Sequence, residues 1–165
     1  MLIISNNLIG KTPIPKRAII RVNLAWLKSI DEARCIIRNS RHDIYLDYPQ
    51  GRTKPPKPII KFDDAIRLTN YSQVKYFAVS NIEQAEDVRH IMDSLRDVEF
   101  IPKIETKTGV KNLKAILAEG IKTIMLDKED IYTDVGCNST TYNQLVTEAR
   151  NANCKVLELK GVVFK

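Results

Sequence analysis

Cysteine is scarce in this chain of 165 residues, and its three copies are far apart. Cys35, Cys137 and Cys154 form no CxxC pair, which argues against a disulfide framework and against a structural zinc site. Cys35 lies in the apolar helical run Ala33-Arg34-Cys35-Ile36-Ile37 and is expected in the core. Long apolar runs are also missing. No stretch approaches the roughly 20 residues needed to cross a bilayer, so no membrane association is expected. The opening Met1-Leu2-Ile3-Ile4-Ser5 is too short for a signal-peptide core and has no basic lead-in, which makes the cytoplasm the expected location. The net charge is +6, yet no run of five basic residues occurs and no aromatics interleave with them. Nucleic acid is therefore not an expected partner, whereas a small anionic substrate is. Of the two histidines, His42 sits at a strand entrance and His90 within a helix, and both read as structural or exposed.

The chain is long enough for one domain with a proper core, spanning residues 1–165. Short strand-like runs recur with helical stretches between them: Ala18 to Asn23, Asp43 to Asp47, Tyr76 to Ser80, Glu99 to Glu105, Thr123 to Asp127 and Lys155 to Leu159. A further strand fits Leu2 to Ser5. Such alternation predicts βαβ units on a parallel sheet. Helix starts are marked by Ser29-Ile30-Asp31-Glu32 and Ser80-Asn81-Ile82-Glu83, both of which read as capping boxes. Val110, Leu113, Ile116 and Leu117 mark another helix, with Gly120 as its stop. Tyr142 to Ala152 forms the last. Residues 49–58 hold four prolines and a glycine, which excludes regular structure and leaves a basic loop able to contact an anion. The fold class expected is α/β, a parallel (β/α) TIM-barrel-like fold. A full eight-unit barrel takes about 250 residues, so this one is truncated to six or seven strands, without a lid or C-terminal regulatory domain. Truncation would leave an open edge that invites a homo-oligomer or a partner chain to complete the barrel.

Charge concentrates where these strands end. Lys103 and Glu105 are two apart and leave the same face of their strand. Asp130 follows about one strand–helix unit later. A lysine and two carboxylates at neighbouring strand ends suit an Mg²⁺-assisted or Mn²⁺-assisted reaction on an anionic oxo acid, with Glu105 and Asp130 as oxygen ligands and Lys103 as acid or clamp. Asp127 and Glu129 flank Asp130 and are alternative ligands. Lys103 and Glu105 could equally be a structural ion pair. Arg21 and Asn23 share a face, as do Tyr45 and Asp47. Arg21 is the candidate for a bidentate grip on a carboxylate or phosphate, or else pairs with Asp47 inside the barrel. Ser80, Arg52 and Lys160 are further substrate contacts to consider.

These residues resemble the phosphoenolpyruvate/pyruvate superfamily of barrels from about Ala18 to Leu159. The pyruvate kinase pattern Ala-Arg-Leu-Asn is similar to Ile20-Arg21-Val22-Asn23, and its Ala-Leu-Asp-Thr-Lys-Gly-Pro to Tyr45-Leu46-Asp47-Tyr48-Pro49. Its Ala-Leu-Ser matches Ala78-Val79-Ser80, its Ser-Ala-Glu-Asp-Val matches Gln84 to Val88, and its Ala-Lys-Ile-Glu-Asn matches Pro102 to Thr106. The citrate lyase β-subunit and HpcH aldolase group offers Val-Arg-Val-Asn for Ile20 to Asn23 and Ile-Glu-Thr for Ile104-Glu105-Thr106. It also offers Gly-Val-x-Asn for Gly109 to Asn112, and a matching run over Lys128 to Gly136. Both branches imply a divalent metal on Glu105 and Asp130. The resemblance implies a metal-dependent enzyme acting on phosphoenolpyruvate, pyruvate or a related 2-oxo acid through a metal-stabilised enolate. The activity would be phosphoryl transfer or, alternatively, a citrate-lyase-type carbon–carbon cleavage that does not need Lys103. The chain departs from the kinase pattern at Ala25, which removes a potassium-site ligand, at Tyr48 in place of threonine, and at Glu129 in place of glycine. Those departures allow a third reading, a non-catalytic barrel remnant that serves as a binding or assembly module.

Overall fold

The computed structural model describes residues 2–11, 13–52, 55–136, 138–160 and 163–164; for Asp134, Val135, Leu159, Lys160, Val163 and Phe164 it describes the backbone alone. Cys137 and the Thr53-Lys54 part of the proline-rich loop thus lie outside the described residues, as does the side chain of Lys160.

Seven strands run parallel in chain order: β1 (Ile3–Ser5), β2 (Ile19–Asn23), β3 (Ile44–Tyr48), β4 (Val74–Val79), β5 (Glu99–Ile104), β6 (Thr123–Leu126) and β7 (Lys155–Leu157). Two short strands, β8 (Leu159–Lys160) and β9 (Val163–Phe164), form an antiparallel pair, and β9 lies against β1. Helices α1 (Ile30–Asn39), α2 (Phe62–Leu68), α3 (Ala85–Asp93), α4 (Lys107–Lys111), α5 (Leu113–Ala118), α6 (Lys128–Asp130) and α7 (Ser139–Asn151) fill the connections. The strands carry the β-branched and aromatic residues that favour extended backbone, as in Ile19-Ile20-Arg21-Val22-Asn23.

Both faces of the sheet are buried, and strand alternation sorts the side chains between them. Ile20, Val22, Leu46, Phe77, Val79, Ile104, Ile124 and Leu126 point outward into one core with helical residues such as Ala33, Ile37, Val88, Ile91 and Ile116. Ile3, Ile19, Tyr45, Ala78, Ile101, Met125 and Leu157, one from each parallel strand, meet in a second cluster inside the curl. The Tyr45 hydroxyl donates to Met125 Sδ at 4.0 Å, joining β3 to β6 across the interior. A flat sheet could not bring those strands together, so the inner cluster is what makes the fold barrel-like. The interior is packed rather than hollow. Fully burying one such aliphatic side chain contributes about 1.5–3 kcal/mol.

The open edge expected falls at β7 and β8, which end the sheet order with one hydrogen-bonded neighbour each among the described residues. β1 is paired on both sides, and only Glu158 separates β7 from β8 at the other end of the sheet order. Leu157 and Leu159 are therefore at most about 7.6 Å apart, two Cα steps. The chain runs directly from one end of the sheet to the other there, without strand pairing between β7 and β8 among the described residues.

Three local expectations need correction. Cys35 is exposed. Ala33 and Ile37, four residues apart, form the buried stripe of α1, and Cys35 midway between them faces away, near the Asn39 amide. The Ser29 box does cap α1, with Ser29 Oγ accepting from Glu32 N–H at 3.1 Å. The Ser80 box does not form, because Gln84 is the cap of α3 and its Asp87 reaches back to Gln84 N–H. The helix read from Val110 onward is two helices broken at Asn112, and α2 went unmarked because its seven residues are too short to display a period.

Candidate functional site

At the carboxyl ends of the strands lies a cavity of about 730 Å³. Strand alternation places Arg21 and Asn23 (β2), Asp47 (β3), Ser80 (after β4), Lys103 (β5) and Glu105 (just after β5) on its wall. Arg52, from the proline-rich loop, and Asp130, after β6, complete the sequence-derived set. Lys160 is the exception, since only its backbone in β8 is described.

The floor is a charge network. Arg21 Nε donates to Asp47 Oδ2 at 2.7 Å, and its Nη2 contacts the same oxygen. Lys103 Nζ lies 2.9 Å from Glu105 Oε1, 2.9 Å from Ser80 Oγ and 3.5 Å from Asp47 Oδ1. Asp47 is almost wholly buried and Lys103 nearly so. Burial works against the charges of Arg21, Asp47 and Lys103, but their partners outweigh it. Lys103 and Arg21 hold the Asp47 carboxyl below its usual range. Asp47 and Glu105 raise Lys103 above an ordinary lysine, and Asp47 raises Arg21. Burial, followed by Asp47, pushes the Tyr45 phenol well up. Both anticipated alternatives, the Arg21–Asp47 bridge and the Lys103–Glu105 pair, are thus present and belong to one cluster.

Sequence reasoning missed Asn81. Its φ of 54° is left-handed, a conformation that asparagine tolerates better than most residues. Its backbone N–H donates to Glu105 Oε2 at 3.3 Å and its Nδ2 to Gln50 O at 2.6 Å. One residue therefore ties the proline-rich loop to Glu105. Arg52 in that loop is held by the carbonyls of Pro56 and Pro55, at 3.0 and 3.1 Å. The Gly-Val-x-Asn motif buttresses the same region from behind. A Cβ on Gly109 would sit 2.5 Å from Ile82 O, and Asn112 Nδ2 donates to Glu83 O at 2.9 Å. Lys107 and Glu83 also line the cavity, and nothing in the sequence pattern singled them out.

Asp127 caps α6, accepting from Glu129 N–H at 2.9 Å and Asp130 N–H at 3.4 Å, which commits one of its oxygens to the backbone. Glu129 is exposed, Tyr48 packs edge-on against Phe62 in the outer core, and Ala25 is buried. None of these three departures from the kinase pattern lines the cavity.

The carboxylate oxygens on this wall are the donor type that a hard divalent ion takes. Glu105 and Asp130 border one space, Asp47 Oδ1 is buried there with the Lys103 ammonium 3.5 Å away, and no histidine or cysteine is on the wall among the described residues. Among the described residues no three acidic, histidine or cysteine side chains gather closely enough to enclose a metal.

No family model matches the sequence. Over 89 residues the chain is 34% identical to a pyruvate kinase of Methanocaldococcus jannaschii. The match takes in 50% of this chain and 20% of the kinase, so the chain spans about a fifth of the length of the curated relative it matches. Among solved structures, RipC from Yersinia pestis superposes with a TM-score of 0.63 over 85% of this chain and 68% of its own. Identity there is 15%, so the likeness is one of fold. Among the described residues no helix is long and apolar enough to cross a membrane.

Proposed function

We propose that the chain is a metal-dependent enzyme acting on a small 2-oxo acid or its enol form, with pyruvate and phosphoenolpyruvate as the nearest representatives. The observation that carries this reading is the Arg21–Asp47–Lys103–Glu105 network at the floor of the strand-end cavity. The partial likeness to a pyruvate kinase supports it.

Glu105 and Asp130 would hold Mg²⁺ or Mn²⁺. When bound, the ion supplies positive charge beside an oxo-acid oxygen where an enolate develops. Arg21, oriented by Asp47, lines the cavity as the guanidinium nearest in chemistry to a substrate carboxylate. Lys103 is held as an ammonium, because Asp47 and Glu105 outweigh its burial, so it would serve as a fixed positive charge beside the developing enolate oxygen. Asn81 holds Glu105 and the proline-rich loop in register.

The charge on the wall favours a metal in this reading. The wall carries four cations, Arg21, Arg52, Lys103 and Lys107, against five carboxylates, Asp47, Glu83, Glu105, Asp127 and Asp130. An anion entering that space alone meets a net negative surface, and a divalent ion reverses the sign. The same count favours carbon–carbon lyase chemistry as the second reading. Arg21 and Lys103 are already ion-paired, so little interior positive charge is left over for a transferring phosphoryl group.

Exchange of the pyruvate methyl protons with deuterated solvent tests enolisation whatever the later step is. Exchange should require Mg²⁺ or Mn²⁺ and disappear in Glu105→Gln. A wild-type protein that exchanges no protons at any metal concentration overturns the proposal and leaves the remnant reading. Lys103→Ala separates the two enzyme readings, because a lyase should largely survive it and a phosphoryl-transfer enzyme should lose most of its rate.

A further inference from the structure

The barrel mouth is electrically divided. The segments after β1, β2 and β3 (residues 6–11, 24–29 and 49–61) carry Lys11, Lys28, Arg52, Lys57 and Lys61 among their described residues, and no acidic residue. Those after β4, β5 and β6 (residues 80–84, 105–107 and 127–133) carry Glu83, Asp127, Glu129 and Asp130, besides the buried and Lys103-paired Glu105, against Lys107 and Lys128. Parallel strands deliver all six segments to the same end of the sheet. The basic half also holds three of the four large apolar side chains that the described residues leave exposed: Ile9 at 50%, Trp26 at 60% and Ile59 at 68%. Neither the cavity floor nor the proposed chemistry uses Trp26, Ile59, Lys57 or Lys61.

We propose that this mouth is the contact face of a two-fold symmetric dimer, in which the basic, apolar-tipped loops of one copy sit on the acidic loops of the other. A two-fold contact must be self-complementary, and a face that is basic on one side and acidic on the other meets that requirement. Trp26 and Ile59 supply the apolar anchors that such a contact needs at its centre. The arrangement also accounts for the size of the cavity. A pyruvate-sized acid fills only a small part of 730 Å³, whereas small-molecule sites usually enclose most of their ligand. The second copy covers the mouth and excludes water from it. Single-stranded nucleic acid is the less suitable occupant. The two isoleucines give bases nothing to stack on, and the acidic half repels phosphates.

Sedimentation equilibrium of the ligand-free chain tests the dimer separately from any activity. The wild type should dimerise at ~50 mM salt and dissociate towards ~0.5 M, where charges are screened within about 3–5 Å. The double variant Lys57→Glu with Lys61→Glu, and the double variant Glu129→Lys with Thr133→Lys, should each weaken self-association at least about tenfold. Mixed together, the two should associate again, since one carries the acidic mouth and the other the basic one. Trp26 is the only tryptophan, so its emission should shift to the blue on dimerisation. Trp26→Ala should weaken the dimer without any change of charge. A wild type that stays monomeric at low salt overturns the proposal, as does a dimer indifferent to both charge reversals. So does quenching of Trp26 by a short oligothymidylate in a protein that remains monomeric, which would assign the surface to nucleic acid.

Discussion

Asn81 donates its backbone N–H to Glu105 Oε2 at 3.3 Å, and through this bond the loop after β4 fixes one oxygen of the carboxylate at the end of β5. The other oxygen, Oε1, lies 2.9 Å from Lys103 Nζ. Glu105 is thus held at both oxygens by protein groups, and a metal bound there must replace or share one of them. The Lys103 contact is the one that can be given up, because Ser80 Oγ and Asp47 still hold the ammonium.

Asn81 therefore separates two effects. Asn81→Gly keeps the left-handed backbone and the N–H to Glu105 but loses the bond to Gln50. Mn²⁺ affinity, read by electron paramagnetic resonance, should change little, while oxalate affinity in the presence of metal should fall as the Arg52 loop loosens. Asn81→Ala adds the cost of a left-handed alanine, about 1 kcal/mol or more, and should melt lower than Asn81→Gly. Equal melting temperatures for the two would show that the backbone conformation contributes nothing.

Asp47 is the keystone of the buried network. Asp47→Ala removes the buried carboxylate that Arg21 and Lys103 share and leaves Lys103 with Glu105, and removal of one partner from a buried pair typically costs about 3–5 kcal/mol. Urea denaturation should report a loss of that order. A loss of less than about 1 kcal/mol would mean that the cluster behaves as a surface one.

The same cluster sets the pH response. Asp47 is held below its ordinary pKa, so its contribution is present above the unfolded value, near 4, and fades as pH falls through the lower folded value. Lys103 is held above its ordinary pKa, so its contribution is present below the unfolded value, near 10.4, and fades as pH rises through the higher folded one. The stability difference between wild type and Asp47→Asn should be flat from about pH 5 to 9 and shrink below about pH 4. A difference that instead grows on acidification contradicts the assignment.

Gly109 tests the buttress behind the site. A Cβ there meets Ile82 O at 2.5 Å, a backbone atom that cannot swing aside, so Gly109→Ala should destabilise by about 1–3 kcal/mol. Gly120 offers the contrast. Its φ is 78° and its Cβ position meets nothing within 4 Å, so Gly120→Asn should cost well under 1 kcal/mol. Thermal melts of both variants decide it.

Much of this architecture was legible in the sequence because strands buried on both faces leave dense apolar runs. The runs ending at Asn23, Asp47 and Glu105 place alternate residues on the inner face without ambiguity, and the cavity gathers them. What the sequence hid was governed by longer-range geometry. Ser80 fits a capping box by spacing, but Lys103 Nζ, brought in from the next strand, engages its hydroxyl instead. Asn81 looked like part of that cap, and its left-handed backbone becomes visible only once Gln50 and Glu105 are beside it. Cys35 sits among apolar neighbours in the chain yet on the wrong side of the helix, where a shift of two residues decides burial. The β8–β9 pair, two residues per strand, is too short to carry a period.

Thermal unfolding with oxalate, which mimics enolpyruvate, and Mg²⁺ tests the central claim most directly. A ligand at 100 times its dissociation constant adds about 2.7 kcal/mol, roughly 5–10 °C for a domain of this size. The account predicts that shift with oxalate and Mg²⁺ together, little with either alone, and none in Asp130→Asn. An equal shift with oxalate in the absence of metal, or no shift with oxalate, pyruvate or phosphoenolpyruvate under any metal condition, would contradict it.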